Sequence, residues 1–110
     1  MNIAILTLTV TAGGVLTANR FVTGAGAAPA ANGRALGVTR TSATASGDLV
    51  PVDVLGTALV EASAAIAADA IVATTNDGRA VTYSTGVTVG RALTAASAAG
   101  QLIEVLLIAN

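Results

Sequence analysis

Gly33-Arg34-Ala35-Leu36 returns word for word as Gly90-Arg91-Ala92-Leu93, 57 residues further on. Each copy runs into small residues, Thr41-Ser42-Ala43-Thr44-Ala45-Ser46 after the first and Ala95-Ala96-Ser97-Ala98-Ala99 after the second. Each tract closes on a glycine, Gly47 or Gly100, and then enters an apolar run holding one acid, Leu49-Val50-Pro51-Val52-Asp53-Val54 or Leu102-Ile103-Glu104-Val105-Leu106-Leu107. Strand, small-residue turn, glycine and strand in that order read as a hairpin. A hairpin used twice in a short chain is a statement about packing rather than chemistry.

The rest of the chain fits short strands. Residues 3–11 are apolar, with Thr7-Leu8-Thr9-Val10-Thr11 alternating at period 2, and Gly13-Gly14 breaks the run. Further strands are expected over residues 15–23, 35–40, 49–54 and 57–61, with Gly56 as a bend and Pro51 at a sheet edge, because proline cannot donate to a ladder. Residues 62–70 have helical composition and are expected to form one helical turn. Ile71-Val72-Ala73-Thr74, Asn76-Asp77-Gly78 and Ala80-Val81-Thr82-Tyr83 read as strand, turn and strand, since Asn, Asp and Gly accept left-handed backbone angles. About nine short strands at close spacing point to an all-β barrel or sandwich with at most one short helical turn. The expected organisation is an N-terminal strand or docking arm, residues 1–14, followed by one β domain, residues 15–110, containing the two similar hairpins.

Composition limits function more than it specifies it. The chain has 110 residues, 54% hydrophobic, yet only Phe21 and Tyr83 are aromatic, so the core must be built from Val, Leu, Ile and Ala. Such a core gains from association with copies or a larger partner. Five arginines, no lysine and six acids give a net charge of −1, which disfavours nucleic acid as a partner. The first 19 residues carry no side-chain charge, but Thr7, Thr9, Thr11, Gly13 and Gly14 interrupt them, so no membrane span is expected. A signal peptide would want a positive start before its apolar stretch, and Met1-Asn2-Ile3 lacks one; a cytosolic product is expected.

Motifs for chemistry are lacking. With no Cys and no His, thiolate sites and nucleophile–His triads have no material. Gly24-Ala25-Gly26 begins a dinucleotide fingerprint, but Pro29 and Asn32-Gly33 follow too soon for the helix whose N-terminus would hold phosphate. Asp48 with Asp53, or Asp69 with Asp77, would serve acid–base work only if a cleft joined them, and both Asp48 and Asp77 adjoin turn glycines. The expectation is a non-enzyme with no cofactor, metal or small-molecule substrate.

The order of motifs carries a resemblance. Thr11-Ala12-Gly13-Gly14, Ala18-Asn19-Arg20-Phe21-Val22, Leu36-Gly37-Val38, Gly47-Asp48-Leu49-Val50-Pro51-Val52, Ala64-Ala65-Ile66-Ala67-Ala68, Asp77-Gly78-Arg79-Ala80 and Gly90-Arg91-Ala92-Leu93 through Val105 follow one another as in the small capsid decoration (cement) proteins of tailed bacteriophages. The resemblance spans nearly the whole chain, with Asp69 standing where a turn glycine is expected. It implies a compact β domain, a homotrimer bound to the major capsid protein on the outside of the mature head, made in the host cytoplasm and without catalysis. Alternatives are a virion-surface binding or display module such as a fibre anchor, and another structural phage part such as a tail-tube or head-completion protein. Within residues 3–11 the side chains worth burying are Ile3, Ile5, Leu6, Leu8 and Val10. They either join the first strand to the domain's own sheet or dock on the capsid or a neighbouring subunit, where main-chain bonds supply affinity and side-chain pockets supply selectivity.

Overall fold

The computed structural model describes residues 3–110. Eight strands follow in order: β1 (Ala4–Thr11), β2 (Phe21–Val22), β3 (Gly37–Thr39), β4 (Leu49–Glu61), β5 (Ile71–Thr74), β6 (Ala80–Thr82), β7 (Gly90–Ala92) and β8 (Leu102–Leu107). They form one sheet in the order β2-β3-β4-β8-β7-β5-β6, with each of these strand pairs antiparallel and β1, among the described residues, joined to β4 alone. The Phe21 N–H donates to the Gly78 carbonyl at 2.7 Å, linking β2 at one end of the sheet to the β5–β6 turn at the other. The result is a nearly closed barrel.

Registers reveal one unit built twice. In the first half, Val10 faces Val50, Phe21 faces Val38, Val38 faces Asp53, and Leu16 bridges Ala43. In the second, Val60 faces Ile103, Ile71 faces Arg91, Arg91 faces Leu106, and Ile66 bridges Ala96. The shift is 50 residues before the segments 23–36 and 73–89, the second of which contains β6, and 53 after them. Loop bonds follow the same rule: Ala12 N–H to Asp48 O matches Ala62 N–H to Gln101 O, and Gly47 N–H to Ala12 O matches Gly100 N–H to Ala62 O. The backbone repeats its unusual angles too, with Asn19 at φ 62° and Asp69 at φ 67°. Asp69 therefore occupies a left-handed position that its short polar side chain tolerates.

The literal repeat in the sequence is not the structural one. Gly33 lies in a turn, whereas Gly90 opens β7; the residue that plays the part of Gly90 is Gly37, which opens β3. Residues 62–70 contain no helical turn, because the Ile66–Ala96 bridge and the left-handed Asp69 hold them extended and turned. Residues 15–23 give only the two-residue β2, Leu16 being held by its lone bridge to Ala43.

β4 joins the halves. Its first part pairs with β1 on one edge and β3 on the other, and its second part pairs with β8. The two strands expected at 49–54 and 57–61 are thus one, and Gly56 is an irregularity within it. Gly56 has φ +95°, and a Cβ there would stand 2.2 Å from the Ile3 carbonyl oxygen, so only glycine lets β1 lie this close. Pro51 is not on an edge strand. Its carbonyl accepts from Arg40 N–H just past the end of β3, so its missing N–H faces the side where the ladder has already stopped.

Two apolar clusters fill the interior. The smaller holds Val10, Ala12, Leu16, Val22, Ala43, Val50 and Val52, all from the first half. The larger holds their counterparts Val60, Ala62, Ile66, Val72, Ala96, Ile103 and Val105, and adds Phe21, Ala35 and Val38 from the first half. One face of the first half is therefore packed into the core of the second.

Candidate docking surface

Strand alternation divides β1 into two faces. Val10 points into the smaller cluster, and Leu6 and Leu8 share its phase but remain half-exposed. Thr7, Thr9 and Thr11 take the opposite phase, and Ile5, at the register irregularity between Ala4 and Leu6, is 78% exposed. Ile3, just before the strand, is exposed; its N–H donates to Thr57 Oγ1 at 2.8 Å and its carbonyl accepts from Thr57 N–H at 2.8 Å. Of the five apolar residues singled out in the sequence, Val10 is thus core, Ile3 and Ile5 face outward, and Leu6 and Leu8 overhang the smaller cluster at the sheet edge. Leu49, opposite Thr11 on β4, adds a further exposed apolar side chain.

β1 is fixed to the body by chemistry as well as by its ladder. Asp53, buried on β4 directly opposite Thr7, accepts from Thr7 Oγ1 at 2.8 Å, while Arg40 Nε reaches both Asp53 oxygens at 2.8 and 3.0 Å. A buried carboxylate requires such partners, because desolvation alone would be costly. Beside this pair lies a hollow of about 240 Å³ lined by Asn19, Val38, Thr39, Arg40, Asp53, Ala58 and Leu59, which marks the seam between the halves.

A second group of charges closes the other end of that seam. Arg20 reaches Glu61 at 3.3 Å and Asp77 at 4.0 Å; Arg79 reaches Asp77 at 3.0 Å and Glu61 at 3.7 Å. Asp77 is held below the usual carboxylate range mainly by the Thr75 hydroxyl, with burial opposing and Arg79 assisting. Asp48 is lowered by the N–H groups of Thr44 and Ala45 and by the Thr44 hydroxyl. The carboxylate pairs weighed in the sequence therefore do not meet as sites. Asp48 closes a turn and Asp53 holds Arg40. Asp69 lies 3.8 Å from Arg91, and Asp77 belongs to the seam.

A second exposed surface, not singled out in the sequence, covers the outer side of the second half. Ile71, Arg91 and Leu106 follow one another across β5, β7 and β8 in one row, and Leu102 shares the phase of Leu106 along β8. Leu93 continues from β7, its N–H donating to Glu104 O at 2.8 Å. Ile71, Leu93, Leu102 and Leu106 are all exposed. The signal was present in residues 102–107, where apolar residues occupy both phases of the strand: Ile103 and Val105 turn inward, Leu102 and Leu106 outward. Neighbouring exposed apolar side chains, unlike ones scattered singly, point to a contact site.

Three comparisons bear on these surfaces. The sequence model of a family described as phage cement protein matches residues 2–107. Comparison with curated proteins gives no match. Among solved structures, the chain is similar to the head fiber gp8.5 N base of bacteriophage phi29, with 23% identity and a TM-score of 0.75 over 94% of this chain and 93% of that one. At that identity the likeness speaks for the fold.

Proposed function

This chain belongs to the phage cement protein family, and from that premise we propose that it decorates the outer surface of a tailed-phage head, binds the major capsid protein and stabilises the mature shell as a homotrimer. The observation that carries the docking part is the outward face of β1. Ile3 and Ile5 at the start of β1, and Leu49 across from Thr11 at its end, are apolar and exposed, with the uncharged Thr9 and Thr11 on the same strand, and among the described residues β1 has one ladder partner. Soluble proteins avoid such an edge unless something covers it. A subunit that binds only the expanded lattice shifts the equilibrium toward that lattice by mass action. Several linked copies bind more tightly than one because each later contact is intramolecular. The role requires no catalysis and no cofactor.

A second reading is that the domain anchors a fibre on the head. It is favoured by the likeness to the base of a head fibre. Both readings place the same β1 face on the capsid.

The test is co-sedimentation with expanded heads that lack the protein, followed by heating of the decorated and bare heads. The expected result is saturable binding and a higher disruption temperature for decorated heads, with Ile5→Asp abolishing binding while leaving the far-UV circular dichroism unchanged. Absence of binding by the unaltered protein, or equal binding by a folded Ile5→Asp variant, overturns the reading.

A further inference from the structure

The seam inside the chain is asymmetric, and its two unmatched faces are the Leu6–Leu8 side of β1 and the apolar face of β5, β7 and β8. At the seam the inner side of the second half receives the outer side of the first. Ala58 is 1% exposed and shares the larger cluster with Phe21 (2%) and Val38. By the register of the repeat, Leu8 stands where Ala58 does, Ile71 where Phe21 does, Arg91 where Val38 does and Leu106 where Asp53 does. Leu8 is 41% exposed and Ile71 39%. If the halves were related by a closed two-fold, Leu8 would be covered by Ile71 within the same chain. Both are exposed instead, so the relation runs in one direction and leaves a donor face at β1 and an acceptor face on β5, β7 and β8.

We propose that copies of this chain join head to tail by repeating their own internal seam: the Leu6–Leu8 side of β1 in one copy seats on the Ile71, Leu93 and Leu106 face of the next. This deepens the self-association named above and identifies its surfaces. The sizes compensate. Inside the chain a large Phe21 meets a small Ala58; between copies a smaller Ile71 meets a larger Leu8, which keeps volume across the contact nearly constant. The backbone is also prepared. Glu61 N–H donates to the Asn19 carbonyl at 2.9 Å across the internal seam. The counterpart of Glu61 is Thr11, whose N–H points away from β4 because its neighbour Ala12 uses that side to reach Asp48. The counterpart of Asn19 is Asp69, with the same left-handed backbone and an exposed side chain. Thr11 N–H of one copy thus donates to the Asp69 carbonyl of the next.

The charges are not repeated. Where the internal seam has Arg20 and Glu61, the free faces carry Ala70 and Thr11. The contact between copies is consequently looser than the one within the chain and almost wholly apolar. A heterologous contact of this kind closes into a ring when its rotation divides a full turn. Three copies place six units around such a ring.

The test uses sedimentation velocity on the full chain and two variants, Leu8→Asp on the donor face and Leu106→Asp on the acceptor face, alone and mixed. The unaltered chain is expected to form a closed oligomer, and each variant alone a monomer. Each variant keeps one intact face, and the two surviving faces are complementary. Their mixture is therefore expected to give a two-chain complex and nothing larger. A monomeric unaltered chain, a variant that still assembles, or a mixture that stays monomeric or regains the full oligomer overturns the proposal. If circular dichroism finds Leu8→Asp unfolded, Thr11→Pro replaces it, since it removes only an outward N–H from an edge strand. Head binding is read separately. Lost assembly with retained binding leaves the decoration reading standing, whereas retained assembly with lost binding removes that reading and leaves this one.

Discussion

In the second half of the molecule, Ala58, Val60, Ile103 and Val105 lie beneath Phe21 and Val38 of the first; in the first half, Leu8 and Leu6 overhang a cluster built entirely from their own half. Register, bridges and turn angles are the same in both. What differs is the neighbour, and the side chains have diverged accordingly: Val38 against Arg91, Asp53 against Leu106, Phe21 against Ile71. Burial on the seam faces is thus set by position along the chain of units, whereas inner pairs such as Val10 and Val60 are buried in both.

The largest test of that comparison is a matched pair of truncations. Phe21→Ala should lower stability by about 3–5 kcal/mol, the usual cost of emptying a buried aromatic site. Ile71→Ala, at the equivalent place, should cost under about 1 kcal/mol in the dissociated chain, as surface changes do. Urea unfolding of both measures the gap, and near-equal losses would break the comparison.

A smaller effect is expected where the halves agree. Gly37 and Gly90 open β3 and β7, and neither has room for a methyl group. A Cβ at Gly37 would lie 2.2 Å from the Asp53 carbonyl oxygen, and one at Gly90 would lie 2.4 Å from Val105 Cγ1. Either change to alanine should destabilise by about 1–3 kcal/mol through overpacking. Gly37→Ala should be the worse, since backbone yields less than the end of a side chain; thermal melts of the two variants check the order.

Acid should have the smallest effect. Asp48 and Asp77 both have folded pKa values below their ordinary value. Their contribution is therefore complete above the ordinary carboxylate pKa and is lost as pH falls below it through the depressed values. Asp48 and Asp77 are both partly exposed, so the loss should be slight, and Thr75→Val should reduce it further. Melting temperatures measured from neutral pH down to strong acid should show a decline confined to the acid end.

Much of this architecture is legible in the sequence because the turns speak for themselves. Small residues ending at Gly47 and Gly100 before apolar runs announce β4 and β8, and Asn76-Asp77-Gly78 announces the β5–β6 hairpin. The true repeat was harder to see because it preserves geometry and not letters. Four identical residues at Gly33 and Gly90 mask the actual correspondence of Gly37 with Gly90, in which Val38 matches Arg91. Alanines at 62–70 suggest helix by propensity, yet a bridge from Ile66 to Ala96 overrides it. The apolar character of β1 could be read directly. Which of its side chains are covered could not, since that depends on which neighbour reaches each face.

β4 belongs to both units, as the last strand of the first and the first strand of the second. There is accordingly no linker at which to divide this protein. A cut at Gly56 would leave each unit its own share of β4 but would open the seam where Phe21 and Val38 share one buried cluster with Ala58 and Val60, so neither unit can be moved to another protein as a free-standing module. Foreign peptide carried by this domain belongs at the exposed turns of residues 24–25 or 84–85, inside the two segments where the units already differ in length.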